Sequence, residues 1–216
     1  MMRGLYIVTP DWDDTELLLE STEQALDAGA AMVQYRHKTA GWAQRVAQGA
    51  ALLSLCRRYR RPLIINDHLS LCLTLGADGV HLGGADGALA HARAALGPGK
   101  IVGASCYGEL ALAREAERAG ASYVALGGFY PSKVKQYSFR TEPDLVLEAK
   151  RALALPLVVI GGMTPANAQP LVARGADLVA AISSVYQASC VAAAVAGFDA
   201  LFAAHTLAKR ESGARV

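Results

Sequence analysis

Short apolar runs alternate along this chain with longer stretches whose apolar positions recur at helical spacing. Four runs are entered through one phrase, Gly-Ala-x-x-Val, beginning at Gly29, Gly76, Gly120 and Gly175. A glycine at that point ends a helix in the left-handed conformation, and an apolar strand follows. Between successive copies lies a second run: Leu63-Ile64-Ile65, Ile101-Val102-Gly103 and Leu157-Val158-Val159-Ile160. The chain opens on Leu5-Tyr6-Ile7-Val8. Strands alternating with helices in this way predict an α/β fold, a (β/α)8 TIM barrel in a single domain. Helices are predicted over 13–29, 41–59, 69–75, 86–96, 108–119, 142–153 and 165–174, and from about 191 to 204. The barrel domain is read as residues 1–204, and the polar residues 205–216 as a frayed tail.

Composition narrows this picture. The 216 residues sit at the short end of the barrel range of ~200 to 400. A net charge of +2 argues against a general nucleic-acid surface. Cys56, Cys72, Cys106 and Cys190 show no C-x-x-C spacing, which suits reduced thiols and a cytoplasmic setting. No apolar run approaches the ~20 residues that cross a membrane, and Met1-Met2-Arg3-Gly4 does not open a signal peptide.

In a TIM barrel the chemistry belongs at the carboxyl ends of the strands. After the second strand, Gln34, Arg36 and Lys38 alternate onto one face, with Tyr35 and His37 on the other. Two cations on one face suit a phosphorylated ligand, as a planar fork and a point charge. After the third strand come Asn66 and Asp67, and after the fourth Asp86, beyond His81. Either aspartate could cap the helix that follows. As neighbours at the barrel mouth, the two carboxylates also suit Mg²⁺, which takes carboxylates, substrate phosphates and water. His81 is expected to pack. Ser105 ends the fifth strand, and the long connection 127–141 carries Ser132, Lys133 and Lys135. Gly161-Gly162 and Ile182-Ser183 close the seventh and eighth strands, where barrels often bind phosphate on exposed backbone N–H groups. Two anion sites, a carboxylate pair and no Ser-His-Asp or Cys-His set point to displacement of pyrophosphate.

These residues, taken in order, resemble the thiamine phosphate synthase family over nearly the whole chain. The likeness rests on Leu5-Tyr6-Ile7-Val8-Thr9, Gln34-x-Arg36-x-Lys38, Asn66-Asp67 and Asp78-Gly79-Val80-His81-Leu82-Gly83 leading to Asp86. Gly103-x-Ser105, the loop from Pro131 to Lys135, Gly161-Gly162 and Ile182-Ser183 complete it. The resemblance implies a transferase of thiamine biosynthesis joining hydroxymethylpyrimidine diphosphate to thiazole phosphate and releasing pyrophosphate. It implies Mg²⁺ on Asp67 and Asp86, and catalytic roles for Arg36, Ser105 and Lys135. The implied substrate-binding set is the segment Gln34, Tyr35, Arg36, His37 and Lys38, with Asn66, Ser105, Ser132, Lys133, Val134, Lys135, Gly162, Ile182 and Ser183. It implies no nucleic-acid or membrane partner and leaves homo-oligomerisation open. Val134 stands where the family often has a hydroxyl, and Gly84-Ala85 where a polar pair is common. A thiazole tautomerase of the same fold would need a histidine near 127–130, which is absent. A non-catalytic barrel binding thiamine precursors would have no use for both aspartates.

Overall fold

Leu5 and Ile7 turn outward under the helices while Tyr6 and Val8 turn into the barrel, the two-residue period of a strand covered on both faces. A computed structural model describes residues 2–83, 86–132 and 138–213, with backbone alone for 86, 87 and 208–213. Eight parallel strands close in chain order: β1 (Gly4–Val8), β2 (Met32–Tyr35), β3 (Leu63–Asn66), β4 (Gly79–Gly83), β5 (Ile101–Tyr107), β6 (Tyr123–Gly127), β7 (Leu157–Ile160) and β8 (Leu178–Ala181). Register pairs such as Val8 with Gln34 and Asn66 with His81 bring the strand ends to one rim. Tyr6, Met32, Ile64, Tyr123 and Val158 fill the interior, and a larger apolar layer lies between strands and helices.

The predicted helices form as α1 (Thr15–Asp27), α2 (Trp42–Arg58), α3 (Leu69–Leu75), α4 (Asp86–Leu96), α5 (Leu110–Arg118), α6 (Leu145–Ala152) and α7 (Pro165–Ala173). Asp14 caps α1 by accepting from the Leu17 N–H. Thr164 and Asn167 form a reciprocal capping box at α7, with Pro165 in its first turn. The glycine opening each repeated phrase has positive φ, from 63° at Gly76 to 113° at Gly29, so the repeat is the stop signal of a helix.

Three features differ from the sequence reading. β5 runs past Ser105 to Tyr107, with a register irregularity between them and a left-handed Tyr107 (φ 52°). A short helix, α8 (Ser183–Tyr186), follows β8 at once. The last helix, predicted to end near 204, runs as α9 (Val191–Gly213). Its residues are good helix formers, and Arg3 ties it to the barrel floor by bonding the Phe202 carbonyl and Thr206 and lying over the Phe202 ring. No helix among the described residues is long and apolar enough to cross a membrane.

Candidate active site

At the carboxyl rim the strands enclose a cavity of about 500 Å³. Gln34, Arg36 and Lys38 line it from β2 and its loop, Asn66 and Asp67 from β3, and Ser105 from β5. Ser132, Gly162, Ile182 and Ser183 line it from the other side. Described residues from both expected sets thus line one chamber.

Tyr35 and His37, expected in the substrate-binding set, do not line it. The Tyr35 hydroxyl donates to Gln48 of α2, and burial pushes its phenol up to about 12. His37 Nδ1 accepts from the Ala40 N–H, and its Nε2 faces Asp13 at 3.3 Å. Strand alternation sends both side chains outward, as the face analysis required.

The two cations arrive already paired. Arg36 Nη1 lies 2.9 Å from both carboxylate oxygens of Asp11. One of these also accepts the Lys38 backbone N–H at 2.7 Å. Thr9 completes the brace, its hydroxyl accepting from the Arg36 N–H and donating to the Arg36 carbonyl. Asp11, in the β1–α1 loop, escaped the sequence reading, because nothing local distinguishes it from Asp13 or Asp14.

Lys38 Nζ donates to Asp67 at 2.5 Å, with side chains 52% and 39% exposed. A pair that exposed contributes only ~0–1 kcal/mol to stability, so its effect is on position and charge. Burial pushes the Asp67 pKa up. The hydrogen bond and charge of Lys38, a bond from Asn66 and the nearby His81 outweigh it and hold the carboxyl below its ordinary value. Asp67 sits in the left-handed region (φ 60°), and the N-cap of α3 is His68, with no side-chain cap bond among the described residues. The capping alternative for Asp67 is therefore excluded.

His81 does more than pack. Its Nε2 lies 2.8 Å from Ser105 Oγ, its Nδ1 2.9 Å from the Tyr123 hydroxyl, and its ring stacks on Tyr123. Gly162 (φ 61°) is held for a backbone reason too, since a Cβ there would run into the Pro131 carbonyl. The Ser184 hydroxyl is buried at the same wall without a hydrogen-bond partner among the described residues. Lys133, Val134, Lys135 and the Gly84-Ala85 pair lie outside the described residues, as does the side chain of Asp86.

Among the described residues no three His, Cys, Asp or Glu side chains cluster as a metal cage. Mg²⁺ keeps several waters and needs only one or two carboxylates beside substrate phosphates. An ionised, partly exposed Asp67 at the cavity wall meets that requirement.

Residues 5–185 match a family model for thiamine monophosphate synthase. The chain is 59% identical over 202 residues to a thiamine-phosphate synthase of Janthinobacterium sp., covering 94% of this chain and 98% of that one. It is 51% identical over 201 residues to one of Thiobacillus denitrificans, covering 93% and 95%. Among solved structures it resembles a thiamine phosphate pyrophosphorylase from Pyrococcus furiosus, with a TM-score of 0.82 and 30% identity over 94% of this chain and 97% of that one.

Proposed function

The chain belongs to the thiamine monophosphate synthase family, and on that premise we propose how its cavity makes thiamine phosphate. It is a transferase of thiamine biosynthesis; relatives of this identity do not favour a tautomerase or a regulatory barrel.

The substrates are 4-amino-2-methyl-5-(diphosphooxymethyl)pyrimidine and a methylthiazole carrying a phosphoethyl group, or its carboxylated form. One observation carries the assignment: Gln34, Arg36, Lys38, Asn66, Asp67 and Ser105 line the same cavity as Ser132, Gly162, Ile182 and Ser183. Gln34 and Asn66 face the pyrimidine, whose ring nitrogen and amino group match a primary amide's donor and acceptor. Arg36, Lys38, Ser105 and Lys135 take the diphosphate. Ser132, Lys133, Val134, Gly162, Ile182 and Ser183 take the thiazole phosphate. Asp67 and Asp86 hold Mg²⁺, which when bound neutralises charge on the diphosphate.

The methylene C–O bond breaks, and its electron pair leaves with pyrophosphate. The pyrimidine methylene cation is stabilised by the ring amino group, and the thiazole nitrogen lone pair closes the C–N bond. With the uncarboxylated thiazole no proton is removed in either step, so the cavity needs no general base; the carboxylated form would in addition release CO2 and take up a proton at C2. Its residues position the partners and offset charge that grows on the leaving group. Arg36 is suited to this because Asp11 and Thr9 fix its place before substrate arrives.

The test is turnover to thiamine phosphate with both substrates, with Mg²⁺ and with excess chelator. Product and pyrophosphate in equal amounts, lost on chelation, are expected. Product formed from the thiazole alone, or none under any condition, would overturn the reading.

A further inference from the structure

Gln34 and Ser105 sit on β2 and β5, yet a continuous line of hydrogen bonds joins them beneath the cavity. Gln34 Nε2 donates to the Tyr6 hydroxyl at 2.7 Å. The Tyr6 and Tyr123 hydroxyls are 2.8 Å apart. Tyr123 meets His81 Nδ1 at 2.9 Å, and His81 Nε2 meets Ser105 Oγ at 2.8 Å. Both tyrosines are fully buried among apolar residues of the barrel interior. The sequence makes room for them: a Cβ on Gly103, the register partner of Tyr123, would run into the Tyr123 phenol.

Burial raises both phenol pKa values, so each hydroxyl stays neutral with one proton to give. Around a neutral imidazole, that fixes the direction of every bond once one end is set. With Gln34 donating, the Tyr6 proton goes to Tyr123 and the Tyr123 proton to His81 Nδ1. The imidazole then carries its hydrogen on Nε2 and donates to Ser105 Oγ. The Ser105 proton is left for the cavity. If the Gln34 amide were reversed, every bond would reverse. Ser105 would spend its proton on His81 and offer the cavity only lone pairs. A diphosphate beside Ser105 requires a donor there. An aminopyrimidine beside Gln34 requires the amide oxygen and one N–H facing the cavity, with the second N–H left for Tyr6. Both demands select the same direction.

We propose that Tyr6, Tyr123 and His81 are positioning residues forming a hydrogen-bond relay that sets the polarity of Gln34 and Ser105 together, so that the pyrimidine end and the diphosphate end of one substrate are read as a unit. This rests on the assignment of Gln34 and Ser105 to that substrate.

Tyr123→Phe tests it, removing one hydroxyl while the ring can keep its packing on His81 and Tyr6. It should lower kcat about tenfold or more and raise the KM of the pyrimidine diphosphate, leaving the KM of the thiazole phosphate unchanged. Combined with Ser105→Ala, it should cost at least ~5-fold less than the product of the single losses, because both act on one network. In the pyrimidine diphosphate complex, ¹⁵N spectra should place the His81 hydrogen on Nε2, and Tyr123→Phe should release that preference. Losses that multiply, or a hydrogen found on Nδ1 in the complex, would overturn the relay. Ser105→Ala at the wild-type rate would instead remove Ser105 from the substrate site, a different failure. Should Tyr123→Phe not fold, Tyr6→Phe interrupts the same line one bond earlier and is held to the same outcomes.

Discussion

Lys38 reaches from the loop after β2 to Asp67 at the end of β3 and sets its ammonium 2.5 Å from a carboxylate whose own backbone is left-handed. The pair joins a group proposed for the diphosphate to one proposed for the metal. Asp67→Asn separates charge from shape, because Asn tolerates the left-handed region nearly as well as Asp. Turnover should fall on the order of 10²–10³-fold, the equivalent of several kcal/mol, with melting little changed. Calorimetric Mg²⁺ binding in the presence of pyrophosphate should weaken in parallel. Full activity of wild-type protein in strong chelator would remove the metal. The lowered pKa has a sign as well. Its stabilising contribution is present above the ordinary carboxylate value near ~4 and is lost only as acid passes through the depressed value. Mild acidification to pH ~5 should therefore leave the pair intact.

Gly162 answers to two constraints, its positive φ and the Pro131 carbonyl beside it. Gly162→Val should displace the segment carrying Pro131 and Ser132. In separate titrations it should weaken the thiazole phosphate at least ~10-fold more than the pyrimidine diphosphate. A thermal melt should also shift downward, since a side chain there is strained whatever the ligand. Equal weakening of both substrates would argue against two distinct anion sites.

Lys135 is proposed to meet the departing pyrophosphate, where charge grows as the C–O bond breaks. A contact stronger in the transition state than in the ground state acts on kcat. Lys135→Ala should lower kcat on the order of 10²–10³-fold and change pyrimidine diphosphate affinity less. Lys133→Ala serves as the control and should retain kcat. Wild-type turnover by Lys135→Ala with loss in Lys133→Ala would exchange the two roles; wild-type turnover by both would remove the loop from leaving-group stabilisation.

The thiols give a prediction independent of the site. Burial pushes Cys56 and Cys106 up to about 12 and Cys72 up to about 11, while Cys190 is exposed. Near pH 8, a thiol-specific reagent should label Cys190 rapidly, and the other three only in denaturant. Groups held neutral in the fold favour it fully below the unfolded thiol value of ~8.5 and withdraw that stability as pH climbs towards the raised values. Stability to denaturant should thus decline in the alkaline range, with less decline in a Cys56→Ala, Cys72→Ala, Cys106→Ala variant. Fast native labelling of all four would contradict the burial.

Much of the cavity's lining was legible because strand periodicity is local. Gln34, Arg36 and Lys38 had to share a face, and the same rule sent Tyr35 and His37 away from the cavity. Asn66, Asp67, Ser105, Gly162, Ile182 and Ser183 could be placed because each follows a strand whose end was readable. Asp11 was not legible, since its selection over Asp13 and Asp14 depends on where Arg36 arrives from another strand. His81 was read as packing for a similar reason. Its partners, Tyr123 and Ser105, belong to strands that sequence spacing does not align residue by residue.

The sequence by itself determined the repeating strand and helix units, their stop signals, the barrel they close into and the order of polar groups around its rim. Those follow from glycine backbone freedom and from two-residue alternation, which act within a few positions of the chain. Tertiary structure decided which groups meet: Arg36 with Asp11, Lys38 with Asp67, Gly162 against Pro131, and the buried line from Gln34 to Ser105. It also decided that Arg3, near the start of the chain, bonds the Phe202 carbonyl and Thr206 of α9. Hydrogen bonds and charge pairs depend on a few ångströms between distant segments, and only the closed barrel sets those distances.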